Sequence, residues 1–151
     1  MGTGKVWVAG ILAAVTIFGG SSARAADDLV GDPAKGKKVF RLCMACHSVE
    51  PGINRVGPTL HNIIGRKAGG VDGFNYSTAH KKSGIVWTRE SLNPYLKDPR
   101  SYIPGNRMMF VGVRNDRQRT DLIAYLASDE VSPDAPKEEE AGAGVGSEQD
   151  Q

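Results

Sequence analysis

The sequence predicts a small all-α domain, in which about five short helices and their loops wrap around one bound group. Three observations indicate this class. No segment keeps the two-residue alternation of apolar and polar side chains that marks a β-strand. Capping residues such as Asp32 and Thr88 precede short runs with helical spacing of apolar side chains. About 100 residues with few long apolar runs make a thin core, so we expect a buried apolar cofactor to complete it.

The chain divides into three parts of different composition. Residues 1–25 are predicted to be a secretory signal peptide, because a positively charged start precedes an almost uncharged apolar run and an A-x-A cleavage site ends at Ala25. Residues 26–130 are the predicted folded domain, and residues 131–151 are an acidic Gly/Ala-rich tail that we expect to be disordered. The apolar run is short for a membrane span, and an uncleaved N-terminal anchor is the alternative. In either case we expect export, to the periplasm.

The formal charge differs between the domain and the tail. Residues 26–130 contain 16 Lys and Arg against 11 Asp and Glu, whereas residues 131–151 contain one Lys against six acidic residues. A basic domain favours acidic proteins, anionic lipid or nucleic acid as partners. Export argues against nucleic acid.

The first predicted helix has Asp32 as its N-cap and Pro33 at its first position, and is expected to run to about Cys46. Gly36 lies inside it, where glycine costs about 1 kcal/mol relative to alanine. We therefore expect a close contact with another helix at this position.

Four further helices are predicted from caps and breakers, with a loop over residues 98–114. Pro94 is expected to kink one of them. The four predicted helices are Leu60 to Ile64 after Thr59, Thr78 to Lys82 after Ser77, Arg89 to Lys97 after Thr88, and a last helix from Arg117 or Thr120 to Ala127.

The segment Cys43-Met44-Ala45-Cys46-His47 has the C-x-x-C-H pattern, which is the attachment signal for a c-type haem. Two intervening residues place both thiols on one helical turn, where they can form thioethers with the two haem vinyl groups. The adjoining His47 is then expected to be the proximal iron ligand. A redox dithiol would need a βαβ pattern and a zinc site would need a second ligand pair, and the sequence has neither.

The second axial ligand is less clearly indicated by the residues alone. Met44 lies inside the attachment motif and cannot reach the other face, and we expect His61 to lie on the surface and His80 to be solvated or hydrogen-bonded. Met108 and Met109 follow a loop stiffened by proline and glycine. A thioether there would suit ferrous iron, and packing within the loop is the alternative.

A series of further motifs carries a resemblance to one family. The motifs are Gly-Asp-Pro-Ala-Lys-Gly-Lys-Lys-Val-Phe (31–40), Gly-Pro-Thr-Leu-His (57–61), Gly-Arg-Lys (65–67), Gly-Phe-Asn-Tyr (73–76), Tyr-Ile-Pro-Gly-Asn-Arg-Met (102–108) and Asp-Leu-Ile-Ala-Tyr-Leu (121–126). Together with C-x-x-C-H, they resemble the class I c-type cytochromes, close to the mitochondrial and bacterial soluble electron carriers. The resemblance implies a cytochrome c fold with crossed terminal helices around one covalently attached haem c.

The resemblance also implies roles for residues around the iron. It makes Met108 the distal ligand and Pro58 the carbonyl that accepts a hydrogen bond from His47. Tyr95 is expected near the Met108 sulfur, and Phe110 is expected to shield the haem edge.

On the propionate side, the resemblance implies that Tyr76 and Trp87 donate hydrogen bonds to the haem carboxylates and that Arg66 balances their charge. At the crossing of the terminal helices, Gly36 and Phe40 are expected to pack against the apolar face of the last helix.

Five positions depart from the family pattern. Met109 stands where an aliphatic packing residue is usual, and His80 stands where many relatives have an asparagine linked to a buried water. Asn106 replaces a threonine, and Ala68 and Ser77 change two further hydroxyl positions. We expect these departures to alter the reduction potential but not the ligation.

The resulting functional prediction is a monomeric one-electron carrier, and not an enzyme, because both axial positions are filled by the protein. Expected partners are a cytochrome bc complex, a terminal oxidase or a periplasmic dehydrogenase. They would dock at a basic haem edge formed by Arg41, Arg100, Arg107 and Arg114. The alternatives are a membrane-anchored or fixed haem subunit of a respiratory complex, and a ligand-binding or peroxidase-like haem protein from which Met108 dissociates.

Overall fold

The computed structural model describes residues 30–134, and within this range the chain forms five α-helices joined by loops. The only β-type pairing in the described range is an isolated antiparallel bridge between Lys67 and Val86. The all-α prediction is therefore confirmed. The helices are α1 (Pro33–Val39), α2 (Thr78–Lys82), α3 (Arg89–Lys97), α4 (Pro99–Tyr102) and α5 (Asp116–Leu126). The predicted signal peptide and residues 135–151 lie outside the described residues.

The terminal helices α1 and α5 pack directly against each other. Gly36 lies against the backbone of Asp121 and the Cβ of Tyr125, so closely that a methyl group on Gly36 would overlap the Asp121 carbonyl. The Phe40 and Tyr125 rings pack with centroids 5.4 Å apart, and Leu122 is fully buried beneath them. The close helix contact that the sequence predicts at Gly36 is confirmed.

The helix starts follow the predicted caps. Asp32 accepts hydrogen bonds from the N–H groups of α1, Ser77 accepts one from α2, and Thr88 accepts one from α3. The predicted end of the first helix at Cys46 is wrong. The α-helix ends at Val39, and a 3₁₀ turn over Phe40–Leu42 follows it.

The predicted helix from Leu60 to Ile64 is also wrong, and tertiary hydrogen bonds explain why. An α-helix here would need the Pro58 carbonyl to accept from the Asn62 N–H. Instead, that carbonyl accepts from the His47 ring at 2.7 Å, and the Asn62 N–H donates to the Val131 carbonyl at 2.7 Å. Asn62 has a φ of 52°, which takes the backbone out of the right-handed helical region.

The predicted 98–114 loop contains α4, which the sequence analysis missed. Asp98 caps this helix by accepting from the Ser101 N–H at 3.2 Å, and Pro99 occupies its first position. The Asp-Pro pair is the same start signal that Asp32 and Pro33 give for α1.

The folded part extends past the predicted domain end at residue 130. Val131 is fully buried, and the buried Ser132 donates its hydroxyl to the Leu126 carbonyl at 2.9 Å. Asp134 accepts from the Asn62 side chain at 2.7 Å. Residues 131–134 of the predicted tail are therefore held on the domain by one buried apolar side chain and these two hydrogen bonds.

The core lies between α1, α3 and α5 and continues into the walls of a cavity. Two antiparallel segments meet at the Lys67–Val86 bridge, where the Trp87 N–H donates to the Arg66 carbonyl at 2.9 Å. The Arg66 and Trp87 side chains both line that cavity. Between residues 30 and 134, the helices are all too short or too polar to cross a membrane.

Candidate haem-binding site

One cavity of about 660 Å³ brings together every site residue that the sequence analysis selected. Its volume is within the range of about 300–1,000 Å³ usual for cofactor sites. Most of the lining surface is apolar, and α3, the end of α5 and the 57–63 segment contribute to it. The predicted residues that line it are Cys43, Cys46, His47, Pro58, Arg66, Tyr76, Trp87, Tyr95 and Met108.

The two cysteines lie on a tight turn after the 3₁₀ segment. The N–H groups of Cys46 and His47 both donate to the Cys43 carbonyl, at 3.0 and 2.9 Å, which keeps the three side chains on one turn. No disulfide joins Cys43 to Cys46. Burial, with a smaller contribution from Cys46, raises the pKa of the Cys43 thiol to about 11. This is opposite to the lowered pKa of a reactive redox dithiol.

His47 is held in the form that a metal ligand requires. Its Nδ1 lies 2.7 Å from the Pro58 carbonyl, which can only accept, so Nδ1 carries the proton and Nε2 keeps its lone pair. Burial lowers the pKa of His47, and the nearby Arg66 charge acts in the same direction. The neutral imidazole therefore persists at neutral pH.

Gly57 forms the surface against which the His47 ring lies flat. A Cβ at position 57 would overlap the imidazole atoms. The Gly57 N–H donates to the Cys46 carbonyl at 2.7 Å, so this loop is tied to the attachment turn. Glycine is needed here because only its backbone lets the loop approach the ring so closely.

The Met108 loop is braced by Asn106. Its side-chain amide donates to the carbonyls of Pro99 and Ile103, at 2.6 and 2.9 Å, and its oxygen accepts from the Met108 N–H at 2.9 Å. These three bonds tie the loop back to α4. A single side chain therefore fixes the backbone of the proposed ligand.

The Met108 sulfur has a hydrogen-bond donor within the cavity. The Tyr95 hydroxyl lies 3.6 Å from Met108 Sδ, and sulfur in a thioether can only accept. The Tyr95 ring packs on Trp87 with centroids 4.7 Å apart. Burial raises the pKa of Tyr95, so the hydroxyl keeps its proton and remains a donor.

Arg66 is half-buried, and no anionic side chain of the described residues pairs with its charge. Its two terminal nitrogens donate to the carbonyls of His61 and Thr59, at 2.8 and 2.7 Å, but its Nε is buried and has no acceptor within the described part of the chain. No carboxylate of residues 30–134 pairs with it. Buried charges normally have a counter-ion, so this wall is suited to a bound anionic group.

These residues fit a haem c on three structural grounds. The cavity is large and apolar enough for a porphyrin, the neutral His47 offers a free ring nitrogen, and the unpaired Arg66 is suited to a propionate carboxylate. Across residues 30–134, no group of three or more His, Cys, Asp or Glu side chains comes together as an alternative metal site.

One predicted placement around the site is wrong. His61 is half-buried and not on the surface, and its Nδ1 is enclosed. The alternative of packing within the loop does not hold for Met109. It is 85% exposed, and its sulfur accepts from the Arg100 guanidinium at 3.5 Å.

The supporting roles of Gly57 and Asn106, and the apolar wall, were not predicted from the sequence. Gly57 precedes a proline in the motif, and that pair was an available signal of a special backbone position. In that wall, Leu92 and Leu96 lie on α3 and Leu126 lies on α5, whereas Leu60 and Ile63 lie in the 57–63 segment.

Comparison with known proteins gives one consistent result. The family model described as "Cytochrome c" matches residues 33–129. Cytochrome c type-1 of Ascaris suum is 51% identical over 104 residues, which cover 68% of this chain and 93% of the relative. Cytochrome c2 of Blastochloris viridis is 48% identical over 96 residues, which cover 63% of this chain and 76% of the relative.

A solved structure has the same fold. Cytochrome cH from Methylobacterium extorquens superposes with a TM-score of 0.61 at 46% identity, and the match covers 64% of this chain and 97% of that one. The family range of residues 33–129 includes the attachment turn and the Met108 loop. The chain therefore belongs to the cytochrome c family, whose members are haem-based electron carriers and not enzymes, with one covalently attached haem c.

Proposed function

We propose that this chain is an exported one-electron carrier of the periplasm that transfers electrons between membrane-bound or periplasmic redox proteins. The observation that supports this best is the convergence of Cys43, Cys46, His47 and Met108 on one apolar cavity. No side chain in this set suits substrate turnover, and two soft or neutral ligands suit an iron that changes oxidation state.

In this proposal, each side chain has a defined role in holding the cofactor. Cys43 and Cys46 would hold the haem through thioether links, and His47 Nε2 and Met108 Sδ would bind its iron. When bound, the haem would supply the Fe(III)/Fe(II) couple. With both ligands from the protein, the iron would have no position free for a substrate.

The surrounding residues tune the couple through charge and polarity. Arg66, with Tyr76 and Trp87, faces the propionates and compensates their charge. The apolar wall excludes water, so the extra positive charge of the ferric state is disfavoured and the reduction potential rises. The thioether ligand acts in the same direction.

The loops that hold the two ligands are stiffened from behind. Pro58 and Gly57 fix the His47 ring, and Asn106 fixes the Met108 backbone. Ligands that move little between oxidation states keep the reorganisation energy low, which favours fast outer-sphere transfer.

The test of this proposal is the state of the two thiols after export. We expect the periplasmically matured protein to be coloured, to change its visible spectrum on reduction, and to resist thiol alkylation at Cys43 and Cys46 even when unfolded. A colourless protein with two alkylatable thiols would contradict the proposal. The double variant Cys43→Ser/Cys46→Ser is the control, because any haem it retains would be extractable.

The partners are proposed to dock where the cavity opens. Arg107 and the exposed Val56 and Met109 lie around this opening, and Arg100 and Arg114 line a groove beside it. A basic rim around an apolar centre suits small, transient contacts with acidic proteins. A cytochrome bc complex, a terminal oxidase and a periplasmic dehydrogenase are the proposed partner types.

This docking surface predicts a specific salt dependence. Raising ionic strength is expected to slow electron exchange with an acidic redox partner, because the steering charges are exposed and screened within about 8 Å at physiological salt. Arg100→Glu/Arg114→Glu should slow exchange about tenfold at low salt and flatten the salt profile. Stopped-flow kinetics would measure both effects.

The matched control reverses one cation away from the opening. Lys37 pairs with Glu130 at 2.6 Å and does not line the cavity. Lys37→Glu should leave the salt profile steep. If Lys37→Glu changed the rate and its salt dependence as much as Arg100→Glu/Arg114→Glu does, net charge and not the proposed surface would control the rate of electron exchange.

A further inference from the structure

Four polar side chains form a continuous hydrogen-bonded row that ends at the proposed distal ligand. Ser77 Oγ lies 3.2 Å from His80 Nδ1, and His80 Nε2 lies 3.3 Å from the Tyr95 hydroxyl. The Tyr95 hydroxyl lies 3.6 Å from Met108 Sδ. His80 is therefore the link between a helix cap and the residue that contacts the sulfur.

The proton positions along this row follow from which atoms can only accept. The Ser77 hydroxyl oxygen already accepts from the His80 backbone N–H at 3.2 Å, so its own proton is available for Nδ1. Nε2 then carries the ring proton and donates to the Tyr95 oxygen. The Tyr95 proton is left to point at Met108 Sδ, and every group in the row is satisfied.

The other neutral tautomer breaks the row. With the proton on Nδ1, the bare Nε2 would accept the Tyr95 proton, and the Met108 sulfur would lose its donor. The Ser77 oxygen would then accept from both the ring Nδ1–H and the backbone N–H of His80, and its own proton would have no acceptor among the described residues. The tautomer of His80 thus decides whether Tyr95 reaches the sulfur.

His80 is half-buried, and the groups around it favour the neutral ring. Burial lowers the pKa of His80. Its ring packs 5.9 Å from Tyr76 and 6.1 Å from Tyr95, centroid to centroid, and no carboxylate of residues 30–134 pairs with it. The charged side chains on its own helix and on the cavity wall are cations, namely Lys81 and Lys82 on α2, and Arg66 and Arg107 on the wall. In the proposed holoprotein, the propionates that face Tyr76 and Arg66 would be the anionic groups on this side.

We infer that His80 is a positioning residue that holds the Tyr95 hydroxyl proton on the Met108 sulfur and makes the electron affinity of the site depend on pH. The inference rests on the proposed function, in which Met108 is the distal ligand. His80 does not contact the sulfur and acts only through Tyr95.

The sign of the pH dependence follows from charge. The ferric state has one more positive charge than the ferrous state, so a protonated His80 is repelled more in the ferric protein. A charged ring is also a stronger donor to Tyr95, which strengthens the bond to sulfur and favours the ferrous state. The reduction potential should therefore fall as pH rises through the pKa of His80. Each tenfold difference in its proton affinity between the two states corresponds to about 59 mV.

The test compares three variants of the holoprotein by measuring reduction potential between about pH 5 and 8. His80→Gln keeps an amide donor for Tyr95 but cannot titrate, so its potential should lose the pH-dependent part seen in the unmodified protein. His80→Leu removes the donor, so its potential should be lower than that of His80→Gln throughout. His61→Gln changes a half-buried histidine outside the row and should keep the pH dependence.

A second readout reports the tautomer directly. Nitrogen-15 NMR of the reduced protein is expected to place the neutral His80 proton on Nε2. A proton on Nδ1, or equal potentials for His80→Gln and His80→Leu, would overturn the inference while Met108 ligation stayed intact. Absence of thioether ligation in the unmodified protein would instead refute the proposed ligand set, so the two failures are distinguishable.

Discussion

Met108→Ala is expected to lower the reduction potential by at least about 100 mV, within the roughly 0.8 V range that axial ligands control in haem proteins. Alanine cannot supply a sulfur, so the sixth position would pass to water or another weak ligand. The same change should let carbon monoxide bind the reduced protein rapidly. Redox titration and the visible spectrum with carbon monoxide would measure both effects.

The neighbouring methionine is a matched control for this change. Met109 has the same side chain, but it is 85% exposed and its sulfur contacts Arg100. Met109→Ala should leave the potential and the spectrum close to those of the unmodified protein. If the two substitutions exchanged their effects, the ligand assignment would be wrong. Rapid carbon monoxide binding by the unmodified protein would favour the ligand-binding alternative.

The attachment residues could be predicted from the sequence because their chemistry is local, since C-x-x-C-H requires only one helical turn. The loop of proline and glycine before Met108 left packing as an alternative, and the family resemblance assigned Met108 as the ligand. All of the predicted residues line one cavity, although they are spread over a range of 66 positions from Cys43 to Met108. Family motifs supplied that long-range information, which spacing and composition alone do not contain.

The parts that could not be predicted depend on contacts between distant segments. Asn62 leaves the helical region because its N–H bonds to Val131, 69 positions away in a segment that reads as a tail. Likewise, His80 reaches Tyr95 only because α2 and α3 face each other across the cavity. Local propensity could not anticipate either bond, since tertiary contacts override it.

Gly36→Ala is expected to destabilise the holoprotein by about 3–5 kcal/mol, at the upper end of single-substitution effects. Helix propensity alone predicts the opposite sign, a gain of about 1 kcal/mol. The overlap decides the outcome, because the new methyl group would meet the Asp121 carbonyl and the Tyr125 Cβ. Overpacking of this kind forces the backbone apart.

The α1–α5 crossing has little freedom to relax. The buried Asp121 carboxylate accepts from the Asp32 N–H at 2.8 Å and pairs with Arg117 at 3.3 Å, so moving the helices apart would also break these bonds. Phe40 would lose its contact with Tyr125 as well. Several interactions would therefore be strained together.

Two control substitutions separate the overlap from backbone effects, with guanidinium unfolding of the ferric protein as the measurement. Ala34→Gly, at an exposed position of the same helix, should cost about 1 kcal/mol and so measures propensity in α1. Gly73→Ala, with a φ of 71° and open space around the new Cβ, should cost only the left-handed strain of about 1–2 kcal/mol. A Gly36→Ala protein as stable as the unmodified one would mean that the crossing yields to a methyl group. The tight crossing would then not be what holds the terminal helices together, and the stability of the domain would have to come from the cofactor and the apolar wall around it.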